Sequence, residues 1–423
     1  LSAQTTESIA IVGLGYVGLS LARIVIDAGY EVVGIDVSAN RVSDLLGGIS
    51  PVSDLTDPQI GEMLKHGFYP TTEFAGISTC STVVLALPTP VDDENEPDLS
   101  ALESAISAAA PFAVAGQLWI LESTVQPGVT EGVVFSMLSE LAPKKAEGIK
   151  LAYSPERVDP GSTARNAFAA PKIVAGADFE SLRSASAFYQ RLGFEVAEAK
   201  ALREAEAAKL LENTYRAVNL ALVNELAFVL GKADIDIVEV VRLAATKPFG
   251  FQAFWPGPGV GGHCIPVDPW YLVAFLGQNG LSSSLTDLAL NINSRVPRRT
   301  AERILELAGE IGHLSGRRPE VRLLGMTYKA NVNDFRGSPG IAVARELLDL
   351  GAVVRYHDPF LRSEIQGLAA SWLSDEEAFS NFTGMTIVLQ NHSAYWTAVG
   401  ESSQTGPLFS AAPGGSHIGT PIW

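Results

Sequence analysis

The segment GPGVGGHCIPVDP, residues 257–269, contains the side chain best suited to covalent chemistry, Cys264. Four glycines and three prolines in that run exclude regular structure and make a rigid loop whose backbone can lie against a ligand. Asp268 and Pro269 read as the first turn of a helix. A cysteine near a helix N-terminus has a lowered pKa and becomes a thiolate nucleophile more easily. Most free cysteines are instead small buried hydrophobes; Cys80, the other cysteine, fits that description, whereas the setting of Cys264 favours the reactive one. His263 is adjacent but would point elsewhere. The six histidines are scattered without ligand-like spacing, so no metal site is expected.

A second constellation is IVGLGYVGLSLA, which places Gly13-x-Gly15-x-x-Gly18 between an apolar run and an amphipathic one. The first glycine permits a tight turn, the second lets a diphosphate approach the backbone, and the third lets helix and strand pack closely. The helix start then offers unpaired N–H groups to the phosphates, with Leu14, Tyr16 and Val17 completing the loop. Such a motif alone is weak. Here Asp36 ends the next strand, at the spacing of an acid that binds an adenosine ribose 2′-OH, which selects NAD over NADP. Pro88 and Thr89 in LALPTP, and Ser123 and Thr124 in ESTVQPG, sit at later strand ends where ligands of open sheets bind; each is equally an ordinary loop or cap. Arg41 could reach the cofactor or be a solvated helix residue.

Lys209 and Asn213 lie four residues apart in a long helical stretch and share one face, with Arg216 on roughly the same side. This polar stripe has the composition of a solvated helix face. It also supplies the cation and amide that a cysteine-dependent oxidation needs to hold an oxyanion.

The elements that position these residues follow from hydrophobic periodicity. Strands are expected at Ile9–Val12, Val32–Ile35, Thr82–Ala86, Leu118–Leu121 and Ile149–Ala152, with a helix at Tyr16–Ala28. Nearly all-apolar strands alternating with helices imply a parallel sheet covered on both faces. A long helix from Arg203 to Gly231 and a second at Ile235–Ala245 form a helical middle region. A second βαβ unit begins at Val321–Gly325 and continues through a helix at Gly340–Leu350 to strands at Val353–Tyr356 and Thr386–Leu389. The fold class is therefore α/β: two Rossmann-like parallel-sheet domains joined by a central helical region with one long helix, divided as residues 1–200, 201–312 and 313–423. The last two dozen residues, rich in Ser, Gly and Pro, are expected to be loosely ordered.

Composition narrows the function. The chain has 423 residues, 47% hydrophobic and 18% charged, with a net charge of -17. This is globular, and the negative balance argues against a nucleic-acid or anionic-membrane partner. Two dissimilar cysteines form no disulfide framework and suit a reducing cytoplasm. No signal-peptide pattern opens the chain. The most membrane-like stretch, Ala101–Leu121, is broken by Glu103, Pro111 and Gln117 and reads as a helix running into a buried strand.

Taken together, GLGYVG, LPTP, ESTVQPG, SPER, KLLENTY, GPGVGGHCIPVDP and LGMTYKANVNDFRGSP, in this order from about Ile9 to His392, resemble the UDP-sugar 6-dehydrogenase family. The resemblance implies NAD-dependent four-electron oxidation of a sugar C6 alcohol to a carboxylate. It makes Cys264 the nucleophile of the second oxidation, with Asp268 as its acid–base neighbour, and gives Lys209 and Asn213 the oxyanion. Glu156 becomes the general base, with Thr124 positioning water. Lys329, Arg157, Gly259 and Gly261 would contact the UDP-sugar, and Arg336 would reach NAD from the C-terminal domain. It further implies a homodimer or larger homo-oligomer whose active site lies between the two α/β domains. SPERVDPG, ATKPFGF and GHCIPVDP are closer to enzymes acting on UDP-N-acetylhexosamines, UDP-N-acetylglucosamine above all, than to UDP-glucose dehydrogenase. The latter usually carries a bulky apolar residue at position 157 and a lysine at 267. GPLFSAAPGGSHIGTPIW departs from the family pattern, which leaves the edge of the second nucleotide domain open. A two-electron hydroxyacid dehydrogenase would share the first domain but has no use for the cysteine loop. A non-catalytic NAD-binding protein is the alternative from another class.

Overall fold

The computed structural model describes residues 7–52, 54–157, 170–310, 318–380, 382–396, 407–414 and 419–423. The chain forms two compact units, residues 1–212 with 270–281, and residues 213–269 with 282–423.

The first unit contains an eight-stranded sheet. Its strands are β1 (Ser8–Val12), β2 (Glu31–Ile35), β3 (Phe68–Thr71), β4 (Thr82–Leu85), β5 (Leu118–Leu121), β6 (Lys150–Tyr153), β7 (Lys172–Gly176) and β8 (Val196–Glu198). The order is β3-β2-β1-β4-β5-β6-β7-β8, parallel except where β7 runs antiparallel to β6. Fully buried Ile9, Ala10, Ile11, Val83, Val84, Leu85, Trp119 and Ile120 explain the unbroken apolar runs, because a parallel sheet covered on both faces hides both alternating sets. Two core clusters result, one on each face. The helix Tyr16–Asp27 buries Leu19, Leu21, Ala22, Val25 and Ile26 against the sheet and ends at Ala28 and Gly29, the latter at φ +90°. Ala101–Leu121 resolves into the helix Ser100–Ala109, a 3-10 turn at Ala110–Phe112 and strand β5.

The second unit carries a six-stranded, all-parallel sheet in the order β11-β10-β9-β12-β13-β14. Its strands are β9 (Glu320–Leu324), β10 (Val353–His357), β11 (Ser371–Trp372), β12 (Met385–Val388), β13 (Leu408–Ser410) and β14 (Thr420–Pro421). The described part of the tail therefore corrects the expectation of loose order. β13 pairs with β12 and β14 with β13, and Ala411, Ala412 and Ile422 are buried. Trp423 packs edge-on to Phe228 at 5.5 Å, and Arg303 Nε donates to the Ile422 carbonyl at 3.1 Å. The edge of the second sheet that the sequence left open is thus completed by Leu408–Ser410 and Thr420–Pro421.

A helix of 30 residues, Leu202–Gly231, contributes residues to both units, as does the helix Asp268–Gln278. Among the described residues no helix is long and apolar enough to cross a membrane.

Candidate active site

In the first unit the chemistry-bearing residues collect at the C-terminal ends of parallel strands, where open sheets bind ligands. The three glycines after β1 have three distinct geometries. Gly13 has φ +97°, and a Cβ there would meet the Ala86 carbonyl oxygen at 2.3 Å. A Cβ on Gly18 would lie 1.8 Å from the Gly13 carbonyl oxygen and 3.3 Å from Ile11 Cγ2. Gly15 has nothing within 4 Å of its Cβ position, and it caps the helix Tyr16–Asp27 without a side-chain hydrogen bond. A tight turn, a close helix–strand contact and an open space at a helix N-terminus fit a dinucleotide diphosphate.

Asp36 follows β2 and is buried. Its carboxylate accepts from Leu14 N at 3.0 Å, Ser38 N at 2.9 Å and Arg41 Nη1 at 2.8 Å. Arg41 is thus no free surface cation; it is ion-paired to the acid expected to meet a ribose. After β4 and β5, Ser123 Oγ accepts from Leu87 N at 2.9 Å and donates to Leu87 O at 2.8 Å, tying the LPTP loop to the ESTVQPG loop. Thr89 and Thr124 are half-buried and Pro88 is exposed. Glu206, on the long helix, holds the far end of the second loop by accepting from Thr130 N at 2.9 Å and Thr130 Oγ1 at 2.6 Å, and also from Gly128 N. Burial pushes its carboxyl up, against those hydrogen bonds.

Glu156 and Arg157 follow β6 and are half-buried. Arg157 is committed to Glu212 at 2.6 Å and to the Pro171 carbonyl at 2.7 Å. The rest of SPERVDPG, from residue 158 on, lies outside the described residues. Lys209 is buried, with no hydrogen-bond or ion-pair partner among the described residues.

The second unit assembles the cysteine loop. Asn213 Nδ2 donates to Asp268 Oδ2 at 2.6 Å, both buried, so the long helix grips the first residue of the helix Asp268–Gln278. The Cys264 carbonyl accepts from Asp268 N at 2.8 Å. The Cys264 side chain is exposed, whereas Cys80 is buried and its thiol is pushed up to about 11 by that burial. The loop glycines are packed tight. A Cβ at Gly261 would meet Pro339 Cδ at 2.6 Å and Tyr328 Cβ at 3.0 Å, and one at Gly259 would meet Pro297 and Pro339 at 3.1 Å. The Asn224 side chain accepts from Gly257 N at 3.0 Å.

The close approach of Gly259 and Gly261 to Tyr328 and Pro339 seats the loop on TYKANVNDFRGSP. Arg336 makes a bidentate pair with Asp334, at 3.0 and 2.8 Å, while remaining exposed. It also donates to His263 Nε2 at 2.9 Å. Arginine only donates, so that nitrogen carries no proton, and its 3.2 Å approach to Asp334 is not an ion pair. Burial first, then Arg336, lowers the His263 pKa and keeps the ring neutral. Lys329 is half-buried on the same segment. Behind it, His392 Nδ1 accepts from Asn331 N at 3.0 Å, so its Nε2–H faces Thr327 Oγ1 at 3.0 Å and Asp358 Oδ2 at 3.1 Å. Asp358 follows β10 as Asp36 follows β2, and it likewise accepts from the backbone just after β9, Met326 N at 2.6 Å and Thr327 N at 3.0 Å. Burial raises its carboxyl, but these bonds and His392 outweigh it and hold it below the usual carboxylate range.

The expected residues thus divide between the units. Gly13, Gly15, Gly18, Asp36, Arg41, Thr89, Ser123, Thr124, Glu156, Arg157 and Lys209 belong to the first, and Asn213, Gly259, Gly261, Cys264, Asp268, Lys329 and Arg336 to the second. Sequence reasoning missed Glu206, although it is an acid one turn before Lys209 on an apolar helix, and Asp358, although it repeats the position of Asp36. It also missed Tyr328 and Asp334 against the cysteine loop. Among the described residues no His, Cys, Asp and Glu cluster is placed to hold a metal ion.

A glycine turn and an acid after the second strand are the marks of a dinucleotide-binding domain, and a separate glycine-rich loop carries an exposed cysteine. Residues 7–193, 203–295 and 322–408 match respectively the NAD binding, central and UDP binding domains of the UDP-glucose/GDP-mannose dehydrogenase family. The chain is 32% identical over 395 residues to the UDP-N-acetyl-D-mannosamine dehydrogenase of Methanocaldococcus jannaschii, covering 92% of this chain and 86% of that one. It is 31% identical to the UDP-N-acetyl-D-glucosamine 6-dehydrogenase of Pseudomonas aeruginosa, covering 92% and 88%. A solved UDP-D-ManNAc dehydrogenase from Pyrococcus horikoshii superposes with a TM-score of 0.84 at 28% identity, over 96% and 95% of the two chains. This chain belongs to the UDP-glucose/GDP-mannose dehydrogenase family and is an NAD-dependent oxidoreductase acting on a nucleotide sugar.

Proposed function

We propose that the chain oxidises the C6 alcohol of a UDP-N-acetylhexosamine to the uronic acid, with Cys264 as the covalent carrier. The observation that carries this reading is the exposed Cys264 thiol on a loop fixed by the Asn213–Asp268 hydrogen bond and seated on Tyr328 and Pro339. The acetamido sugar is supported by the relatives named above and by SPER and KPFGF, and UDP-N-acetylglucosamine is the first candidate among the epimers. Bound NAD supplies the hydride acceptor for each of the two oxidations. Gly13, Leu14, Gly15, Tyr16, Val17 and Gly18 hold its diphosphate and Asp36 its ribose. Pro88, Thr89, Ser123 and Thr124 line the same strand ends, and the family resemblance gives Arg336 a role in NAD binding. Lys329 and the backbone at Gly259 and Gly261 hold the UDP-sugar.

The first oxidation leaves an aldehyde as the hydroxyl proton is taken by a base. The Cys264 thiolate adds to the aldehyde carbon, and the resulting oxyanion meets the Lys209 ammonium and the second N–H of the Asn213 amide, its first being spent on Asp268. Loss of the C6 hydride leaves a thioester. Water, held by Thr124 and deprotonated by Glu156, adds to the carbonyl; the C–S bond breaks, and Asp268 returns to sulfur the proton it took when the Cys264 thiol became the thiolate. One alcohol and one water thus give one carboxylate, with two hydrides transferred. Exposed apolar side chains on the second unit support a homo-oligomer, and cysteine usage supports the cytoplasm.

The test is a panel of UDP-N-acetylglucosamine, its manno and galacto epimers and UDP-glucose, scored by NADH absorbance and product mass. An acetamido sugar should give the highest kcat/KM and two NADH per carboxylate, and Cys264→Ala should lose acid formation by about 10³-fold or more, as removal of a nucleophile does. A preference for UDP-glucose rejects the sugar assignment, and near-normal acid formation by Cys264→Ala rejects the covalent route.

A further inference from the structure

Beneath the SPER segment of the first unit lies a buried ionic cluster that the reaction above does not use. Lys172, the first residue of β7, places Nζ 2.9 Å from Glu122 Oε1. Tyr189 donates its hydroxyl to the same oxygen, and the Lys172 ammonium lies 5.1 Å from the centre of the Tyr189 ring. Lys172 and Glu122 are 9% and 1% exposed, and Tyr189 is fully buried. An ion pair so far from water is weak evidence of stability, because a well-packed apolar pair would serve the core as well or better. Its contacts suggest another use. Lys172 Nζ also donates to the Pro155 carbonyl at 3.3 Å, and Glu156 N donates to the Glu122 carbonyl at 3.3 Å. Both polar groups of the peptide unit between Pro155 and Glu156 are therefore pinned, which fixes the direction in which the Glu156 side chain leaves the backbone. Glu122 directly precedes Ser123 and Thr124. Glu122, Glu156 and Lys172 also line one cleft with Val17 and Ser20 of the glycine-loop helix.

We propose that Lys172 is a positioning residue for hydrolysis of the acyl-enzyme. Through the Pro155 carbonyl it orients the peptide that carries Glu156, and through Glu122 it registers that peptide against the strand end that carries Thr124. The inference rests on the reading of Glu156 as the base that activates water. It places the effect of Lys172 on breakdown of the Cys264 thioester, after both hydrides have left and after substrate and cofactor have bound.

The experiment compares Lys172→Met with Glu156→Gln, following kcat, KM, NAD affinity and the intact mass of enzyme sampled during turnover. Lys172→Met keeps the stem volume and removes the charge and the donor. Its kcat should fall about 10- to 100-fold, less than the loss of a base itself, with KM and NAD affinity within about threefold of the unmodified enzyme. A sugar-acyl adduct on Cys264 should accumulate in both variants, preceded by a burst of two NADH per site. Tyr189→Phe retains the ring and removes only the hydrogen bond to Glu122; it should show the same adduct with a smaller fall in kcat, and it keeps the test decisive if Lys172→Met does not fold. Unchanged kcat in Lys172→Met, or a slower enzyme without the adduct, overturns the positioning role. Glu156→Gln that turns over without accumulating adduct removes the base assignment itself and the inference with it, and the separate scoring of that variant distinguishes the two failures.

Discussion

Asp36 and Arg41 are the residue pair on which the choice of cofactor is expected to turn. The Asp36 carboxylate is held in place by Leu14 N, Ser38 N and the Arg41 guanidinium, so it cannot swing away from an incoming ribose. A 2′-phosphate there would face a fixed like charge, worth about 4 kcal/mol for unit charges about 4 Å apart in a partly solvated site. Turnover with NAD should therefore exceed turnover with NADP by at least about tenfold in kcat/KM, that energy being shared with Arg41 and solvent. In Asp36→Ala the repulsion disappears and Arg41, losing its partner, becomes available to a phosphate. That variant should narrow the gap, and Asp36→Ala combined with Arg41→Ala should narrow it less. Equal use of both cofactors by the unmodified enzyme would refute the role given to Asp36. Cys264 and Asp36 were legible in the sequence because residue type and spacing from a local motif identify them. Lys172 and Glu122 were not, since a buried ion pair between β7 and the end of β5 exists only once the sheet has formed.

The glycine turn between β1 and its helix makes a prediction at the scale of the element, because its outer two glycines and its middle one serve different purposes. An alanine methyl at Gly18 would collide with the Gly13 carbonyl at 1.8 Å and force the helix off the strand. The same methyl at Gly15 meets nothing within 4 Å and suits the backbone there, at φ -82°, but it would enter the space proposed for the diphosphate. Gly18→Ala should lower the melting temperature by several degrees or prevent folding, an overpacking effect of about 1–3 kcal/mol or more. Gly15→Ala should melt normally yet bind NAD at least about tenfold more weakly, a loss of about 1.4 kcal/mol. Calorimetry and NAD titration read the two effects separately, and a Gly15→Ala protein with unchanged NAD affinity would place the diphosphate elsewhere. The strands of this motif were visible as apolar runs with turn residues behind them. β8, β13 and β14 were not: they have three, three and two residues, and β13 and β14 lie in a Ser-, Gly- and Pro-rich tail that becomes strand only because β12 offers a parallel edge.

Several large apolar side chains on the helices of the second unit are exposed in a regular pattern. On the long helix, Tyr215, Leu222 and Val229 recur every seven residues and are each about half exposed, at 47%, 53% and 56%. Val240 and Leu243 follow on the helix Ile237–Ala244, Phe249 and Phe251 on the next loop, and Leu285 and Leu288 at the start of the helix Ser284–Glu310. Scattered exposed apolar residues need no explanation, but a heptad stripe with neighbours of the same kind marks a protein interface. Burial would contribute about 1.5–3 kcal/mol per large side chain before the cost of association, enough in sum to hold two chains together. A net charge of -17 opposes chance aggregation, so the contact would have to be specific. The unmodified protein should therefore elute and scatter light as a multiple of its 44.8 kDa chain. Leu222→Glu would bury an unpaired carboxylate in such an interface, at a cost of several kcal/mol, and should shift the mass to that of one chain at micromolar concentration. Phe179→Glu is the matched control: Phe179 is 74% exposed, lies in the first unit outside the stripe, and begins a helix whose N-terminus tolerates an acid. Its mass should equal that of the unmodified protein. A single-chain mass for the unmodified protein, or an undiminished mass for Leu222→Glu, would show that the stripe is covered by something other than a second copy.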